Sequence, residues 1–229
     1  CSTADCDHGT HLSGIAVGNP PSGTNFGVAR GAQIIAVQIY TDLYNVGYSG
    51  NSQHCSLSYA SDQIAAMEYI YSLSDIYNIA AVNLSLGAGA YDGYCDVSEV
   101  GRKAAIDNLR SVGIATIAAS GNEGQLNQLQ SPACISSAIS VGASTGADTV
   151  ASFSNVADNL SLLAPGISVT SSVPGGGTNT QSGTSVATPH VAGAWAVLRQ
   201  KYPGASVDGI LQLLQETGVA VDLSSRGGP

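Results

Sequence analysis

Ser182-Gly183-Thr184-Ser185-Val186-Ala187-Thr188-Pro189-His190-Val191-Ala192-Gly193 is the stretch on which the reading of this chain turns. It begins in a glycine-containing turn and passes into apolar sequence with helical spacing, so a helix is expected to open at Thr184. Ser185 then falls in the first helical turn, where backbone N–H groups lack intrahelical acceptors and the positive dipole end favours developing negative charge. Pro189 is close enough to the helix start for its missing N–H and fixed φ to be expected to cost little. An isolated Gly-Thr-Ser would read as nothing more than a helix cap. The complete string carries more.

Around this helix the pattern alternates. Apolar, β-branched runs at Gln33 to Ile39, Ile79 to Leu84, Ile114 to Ala119 and Ala138 to Gly142 are short, bounded by Gly, Ser, Asn or Asp, and read as buried parallel strands. Between them Ser58 to Ser74 places Ile64, Met67 and Tyr71 on one helical face, and Ser98 to Val112 does the same with Val100, Ala104 and Ile106. After Val150 the pattern is β-rich, through Ser152 to Ser154, Leu160 to Leu163 and Val169 to Val173. Helices Thr184 to Lys201 and Ser206 to Thr217 close the chain. Strand and helix in alternation imply right-handed crossovers and a parallel sheet covered on both faces, the α/β class. No repeat or linker divides residues 1–229, which are read as one domain.

Of the 229 residues 44% are hydrophobic and only 10% charged, with 28 glycines, the composition of a globular chain rich in tight turns. A formal net charge of -9 repels phosphate backbones and anionic lipid, so neither nucleic acid nor a membrane surface is an expected partner. No apolar run approaches the roughly 20 residues that cross a bilayer. Five cysteines suit an oxidising compartment and hence secretion. Any two pairs among four of them can connect in three ways; the pairs expected are Cys1–Cys6 and Cys95–Cys134, leaving Cys55 over.

The Ser182–Gly193 string resembles the nucleophile signature of the subtilisin-like (subtilase) family, G-T-S-x-A-x-P-H-V-A-G, at every specified position. The resemblance implies a serine endopeptidase in which Ser185 attacks the scissile carbonyl. A serine hydroxyl needs an imidazole to take its proton, and the chain has four histidines. His190 is on the same helix, but at about 100° per residue it points about 140° away from Ser185, so it is read as a packing or hydrogen-bonding residue. His54 lies in a polar loop with no motif around it. Asp7-His8-Gly9-Thr10-His11-Leu12-Ser13-Gly14 is similar to the family's histidine motif, in which the first histidine is the base. His8 is therefore the candidate, with His11 structural and Leu12 a packing variation. A zinc site at Cys1, Cys6, His8 and His11 is the rival. A single residue separates the cysteine pair from the histidine pair, which crowds any tetrahedron.

A tetrahedral intermediate needs donors aimed at its oxygen. The Ser185 N–H can be one. Asn122, in Ala118-Ala119-Ser120-Gly121-Asn122-Glu123-Gly124, matches the family's oxyanion motif where an apolar strand ends in a glycine turn, the edge at which ligands gather in parallel sheets. Val82-Asn83-Leu84-Ser85-Leu86-Gly87-Ala88 is similar to the segment that pairs with substrate backbone as an added strand, which makes Ser85, Leu86 and Gly87 cleft residues. Ala119 and Gly121 are further substrate-binding candidates, and the small residues Gly87, Ala88, Ala118, Ala119 and Ser120 suggest a roomy, mostly apolar pocket for a large apolar side chain.

In this family the Asp that orients the imidazole lies on a strand well upstream of the histidine motif, whereas only residues 1–7 precede His8. Asp5 and Asp7 are too close in sequence to serve, so no triad Asp is carried onto this chain. The resemblance implies a subtilisin-like three-layer sandwich, a mostly parallel central sheet flanked by helices, incomplete at both ends with its first strands missing. A natural Asp-less pseudoprotease that binds peptides without efficient turnover is the alternative. The resemblance further implies protein or peptide substrates, an N-terminal propeptide, a monomer, extracellular release, and no cofactor for catalysis. A structural calcium ion is a possibility in the loop Asn19 to Asn25, although that loop has no carboxylate.

Overall fold

The computed structural model describes residues 7–20, 26–44, 54–224 and 226–227. Its elements, in chain order, are α1 (His8–Val17), β1 (Thr41–Tyr44), β2 (His54–Leu57), α2 (Ala60–Ser72), β3 (Ala81–Leu84), β4 (Ala88–Tyr91), α3 (Val100–Ser111), β5 (Ala115–Ala119), β6 (Leu129–Ser131), β7 (Ile139–Ser144), β8 (Val150–Ala151), β9 (Leu162–Pro165), β10 (Val169–Ser172), β11 (Thr178–Gln181), α4 (Thr184–Lys201), α5 (Val207–Thr217) and β12 (Arg226–Gly227). Strands β3, β5, β7 and β9 pair in parallel, Leu84 opposite Ala118, Ala119 opposite Val141 and Val141 opposite Leu162. The β8 strand joins β7 antiparallel and carries β12 beyond it.

The period of two along β5 divides the core into two layers. Ala115 and Ile117 face one way, into a cluster with Ile139, Val141, Ala187, Val191, Trp195 and Ile210. Ala118 faces the other, toward Met67, Ile70, Ile106 and Leu109. Helices α4 and α5 therefore cover one face and α2 and α3 the other. Each fully buried aliphatic side chain contributes on the order of 1.5–3 kcal/mol. Helix α5 starts where Ser206 Oγ accepts the Gly209 N–H at 3.0 Å, the cap expected of a serine before an apolar run.

Five expectations need correction. Gln33 to Ile39 is not a buried strand: it lies outside the sheet, and Ile34, Ile35 and Val37 are exposed. β-structure needs a partner for its main-chain groups, and among the described residues no strand pairs with this run. On α2 the buried face is Gln63, Met67 and Ile70, with Tyr71 in solvent. On α3 it is Ala105, Ile106 and Leu109, while Val100 and Ala104 are exposed. Of the expected faces Met67 and Ile106 are buried and Ile64 packs against the same cluster, which Ile70 and Leu109 complete. The strand read at Ser152 to Ser154 is instead Val150–Ala151. His54 belongs to β2 rather than a loop.

Cys95 and Cys134 form the expected disulfide, their Cα atoms 5.4 Å apart. It joins the segment before α3 to the turn after β6, and Cys95 N–H donates to Cys134 O at 3.0 Å. Cys1 and Cys6, and with them the zinc alternative, lie outside the described residues. The bridge spans a sequence separation of 39, for which chain entropy predicts about 4 kcal/mol. The Cys95→Ser/Cys134→Ser variant is expected to lose about 2–4 kcal/mol in a denaturant melt.

Candidate active site

Helix α1 packs along α4. Leu12 and Ile15 cluster with Val186, and a Cβ on Gly193 would stand 2.9 Å from the Ala16 carbonyl oxygen. Residues 12 to 16 thus advance alongside 186 to 193, so the two helices run in the same sense. Their N-terminal turns, carrying His8 and Ser185, come to the same end of the pair.

The second histidine of the motif anchors this arrangement. His11 is fully buried, and its Nε2 lies 3.1 Å from both the Val169 and Asn179 carbonyl oxygens, so it carries the proton and donates to the β10–β11 hairpin. Ser171 Oγ–H donates back to the His11 carbonyl at 2.8 Å. Gly14 leaves room for that hairpin, since a Cβ there would collide with Ser171 Oγ. Asp7 faces the same hairpin, its carboxylate accepting from Asn179 Nδ2 at 3.4 Å and Gln181 Nε2 at 3.3 Å.

At the start of α4 the orphan N–H groups find distinct partners. Val186 and Ala187 donate to the Gly183 carbonyl, and Thr184 donates both its N–H, at 2.8 Å, and its hydroxyl, at 3.0 Å, to Asn122 Oδ1. A backbone N–H can only donate, so the atom facing it must be the carboxamide oxygen, and Nδ2 points elsewhere. A Cβ built on Gly183 would stand 3.0 Å from Ser185 Oγ and 3.6 Å from Asn122 Nδ2. The hydroxyl and the amide therefore border one small space that only a glycine at 183 leaves open. Asn122 is exposed and Ser185 half-buried, so both are within reach of a solute. Thr184, fully buried, reads in the sequence only as a helix cap; its place directly before Ser185 is the one local signal of a further role.

Pro189 leaves one helical acceptor to be satisfied from outside the helix. Its absent N–H would have bonded the Ser185 carbonyl one turn back. That carbonyl instead accepts from Ser85 Oγ–H at 2.7 Å, and Ser85 Oγ in turn accepts from Asn83 Nδ2 at 2.9 Å. Ser85 at the end of β3 is thereby tied to the first turn of α4.

Leu86 is half-buried and Gly87 exposed. Ala118, Ala119 and Ser120 are buried at the end of β5. The roomy gap read from these small residues is occupied: a Cβ on Gly87 would stand 2.9 Å from Gln130 Cβ, and one on Gly121 would stand 2.9 Å from Gln130 Cδ. Gln130, from β6, reaches between the two glycines and gives the gap a polar wall. Nothing local in the sequence marks it, because β6 meets this edge only through the tertiary fold.

His190, read as a packing or hydrogen-bonding residue, bonds within its own helix. Its Nδ1 lies 3.1 Å from the Val186 carbonyl, and burial pushes its pKa below the usual 6.5. Of the loop Asn19 to Asn25, residues 21–25 lie outside the described residues, and the loop sequence holds no carboxylate for a hard cation.

The chain belongs to the subtilase family: the family's sequence model matches residues 2–227. It is 36% identical over 208 residues to the extracellular serine proteinase of Thermus sp. (strain Rt41A), covering 90% of this chain and 44% of that protein. It is 37% identical over 206 residues to the subtilisin-like serine protease Pen ch 13 of Penicillium rubens, covering 86% and 46%. Among solved structures, Sphericase matches with a TM-score of 0.77 at 28% identity, covering 98% of this chain and 73% of that one. The S41 psychrophilic protease matches at 0.76 and 29%, covering 96% and 72%. The fold is the subtilisin-like α/β sandwich, and the chain spans about half the length of the curated relatives it matches.

Two outcomes follow from this geometry. Ser85→Ala leaves the Ser185 carbonyl without its donor and is expected to cost about 1–3 kcal/mol; in a Pro189→Ala background, where an N–H is restored, denaturant melts should show a smaller cost. His190 has a depressed folded pKa, so acidification protonates the unfolded chain first. Stability should fall as pH drops below about 6.5, and His190→Gln should flatten that part of a stability–pH curve.

Proposed function

We propose that this chain carries the catalytic machinery of a secreted serine endopeptidase that cleaves peptide bonds through an acyl-enzyme. Ser185 is the nucleophile, His8 its general base, and Asn122 an oxyanion donor. The observation that carries this reading is the shared space beside Gly183, bordered by the Ser185 hydroxyl and the Asn122 amide, with the amide's orientation set by Thr184.

In this reading Ser185 Oγ attacks the substrate carbonyl carbon while His8 takes the hydroxyl proton. Negative charge then develops on the carbonyl oxygen, where Asn122 Nδ2 and the Ser185 N–H can donate, assisted by the positive end of α4. As the C–N bond breaks, His8 returns the proton to the leaving amine. A water, deprotonated by the same imidazole, hydrolyses the ester and regenerates Ser185. Both donors are held before the substrate arrives, so little reorganisation accompanies the charge.

Ser85, Leu86 and Gly87 follow β3, where an extended peptide could add its main chain, with Ala119 and Gly121 across the cleft. Gln130 in the gap between Gly87 and Gly121 favours a P1 side chain smaller, or more polar, than the large apolar one first expected. Protein or peptide substrates, a propeptide in the precursor, a monomeric state and extracellular release belong to the same reading. Supporting release, one relative is named an extracellular serine proteinase. Among the described residues no helix is long and apolar enough to cross a membrane.

A fluorophosphonate probe should label the natural full-length protein at Ser185, and labelling should vanish in Ser185→Ala and fall steeply in His8→Ala. Asn122→Ala should lower kcat by about 10²–10³-fold with KM nearly unchanged, the range established for removing this type of donor in a subtilisin. Failure of the unmodified protein to label would favour the peptide-binding pseudoprotease.

A further inference from the structure

Asn155 is fully buried and lies in the segment after β8, remote in sequence from the residues above. Its Oδ1 accepts the N–H groups of Glu123, at 3.1 Å, and Gln125, at 2.9 Å. Its Nδ2 donates to Glu123 Oε2 at 3.0 Å. Its own N–H donates to the Gly121 carbonyl at 3.0 Å, and its carbonyl accepts from Ser120 Oγ at 2.9 Å. A Cβ on Gly121 would collide with Asn155 Nδ2, so the loop closes around this side chain. The neighbours extend the grip: Gly124 N–H donates to the Phe153 carbonyl and Val156 N–H to the Gln125 carbonyl.

We propose that Asn155 is a positioning residue for catalysis, holding the loop 121–125 so that Asn122 presents its amide to the reacting carbonyl. This rests on the reading of Asn122 as the oxyanion donor. Residues 122, 123 and 125 are exposed and 124 only half-buried, so the loop has little apolar burial to fix it. Its geometry comes from hydrogen bonds, and an oxyanion donor displaced by even a fraction of an ångström loses most of its value. Thr184 fixes the far end of the Asn122 carboxamide, and Asn155 fixes the backbone from which that side chain springs. Asparagine meets both demands at once, an acceptor for two N–H groups and a donor to a carboxylate. Aspartate would lack the donor, and leucine would lack both.

The test is a double-mutant cycle in the natural full-length protein, read by kcat, KM, Tm and affinity for a peptide boronate, which forms a tetrahedral adduct at the serine. Asn155→Ala is expected to lower kcat at least about tenfold, approaching the 10²–10³-fold loss of a missing donor, and to weaken boronate binding in parallel. KM should stay within about threefold. In an Asn122→Ala background the same substitution should cost less than about threefold more, because the group it positions is gone. Should Asn155→Ala fail to fold, Asn155→Asp/Glu123→Gln exchanges the donor and acceptor across the pair and is expected to keep kcat within about threefold, whereas Asn155→Asp alone sets two carboxylates together and should not.

A folded Asn155→Ala protein with unchanged kcat, losses that simply multiply with those of Asn122→Ala, or an exchange variant of normal Tm and impaired kcat would each overturn the proposal. If Asn122→Ala itself leaves kcat intact, the oxyanion reading falls and takes this inference with it. A slow Asn122→Ala beside a normal Asn155→Ala removes the inference alone.

Discussion

The first turn of α4 must place its unpaired N–H groups somewhere, and the donation of two hydrogen bonds from Thr184 to Asn122 Oδ1 is the interaction around which the site is organised. It satisfies a helix end, and in the same act it fixes which way the Asn122 carboxamide faces. The Ser185 carbonyl, deprived of its helical partner by Pro189, is satisfied by Ser85. Two requirements of a helix that begins abruptly and contains a proline are thus met by groups from the ends of two neighbouring strands. A buried polar group left unpaired would cost about 1–3 kcal/mol, so these contacts serve the stability of the helix as well as the placement of its serine.

The sheet makes such contacts possible. Parallel pairing of β3, β5 and β7 brings the carboxyl ends of consecutive strands to one edge, and the loops bearing Ser85 and Asn122 leave from there. Helix α4 is pressed against the sheet through Val191 and Trp195, which places its N-terminus at that edge. Helix α1 is held in turn by Leu12, Ile15 and the bonds of His11 to the β10–β11 hairpin. A polar site exposed to solvent is in this way supported by two apolar layers below it and a hydrogen-bonded hairpin beside it.

Much of this was legible beforehand. Helix α4 was expected at its observed bounds, α5 within a residue, and β3, β5 and β7 close to theirs, because each is a strongly periodic or strongly apolar run bounded by turn residues. The Cys95–Cys134 bridge was also expected. The exposed run Gln33 to Ile39 shows the limit of such reasoning: β-propensity describes a segment, whereas a strand is a relation between two. The faces of α2 and α3 were legible in part: Met67, Ile106 and, packed against the same cluster, Ile64 lie as expected, whereas Tyr71 and Val100 are exposed and Ile70 and Leu109 are buried, a choice only the neighbouring layer makes.

By itself the sequence determined the class of fold and the helix on which Ser185 sits, and it supplied three short motifs, at His8, Asn122 and Ser185, that resemble the subtilase signatures. All of these are legible within a few positions of the chain. Only the tertiary structure decided which residues serve them. Thr184 orients the amide, Ser85 replaces the bond lost to Pro189, Gln130 occupies the gap between two glycines, and Asn155 gathers the loop that bears Asn122. The reason is that hydrogen bonds and excluded volume act through space, and separations of 62 residues between Asn122 and Thr184 or 100 between Ser85 and Ser185 leave no trace in a local pattern.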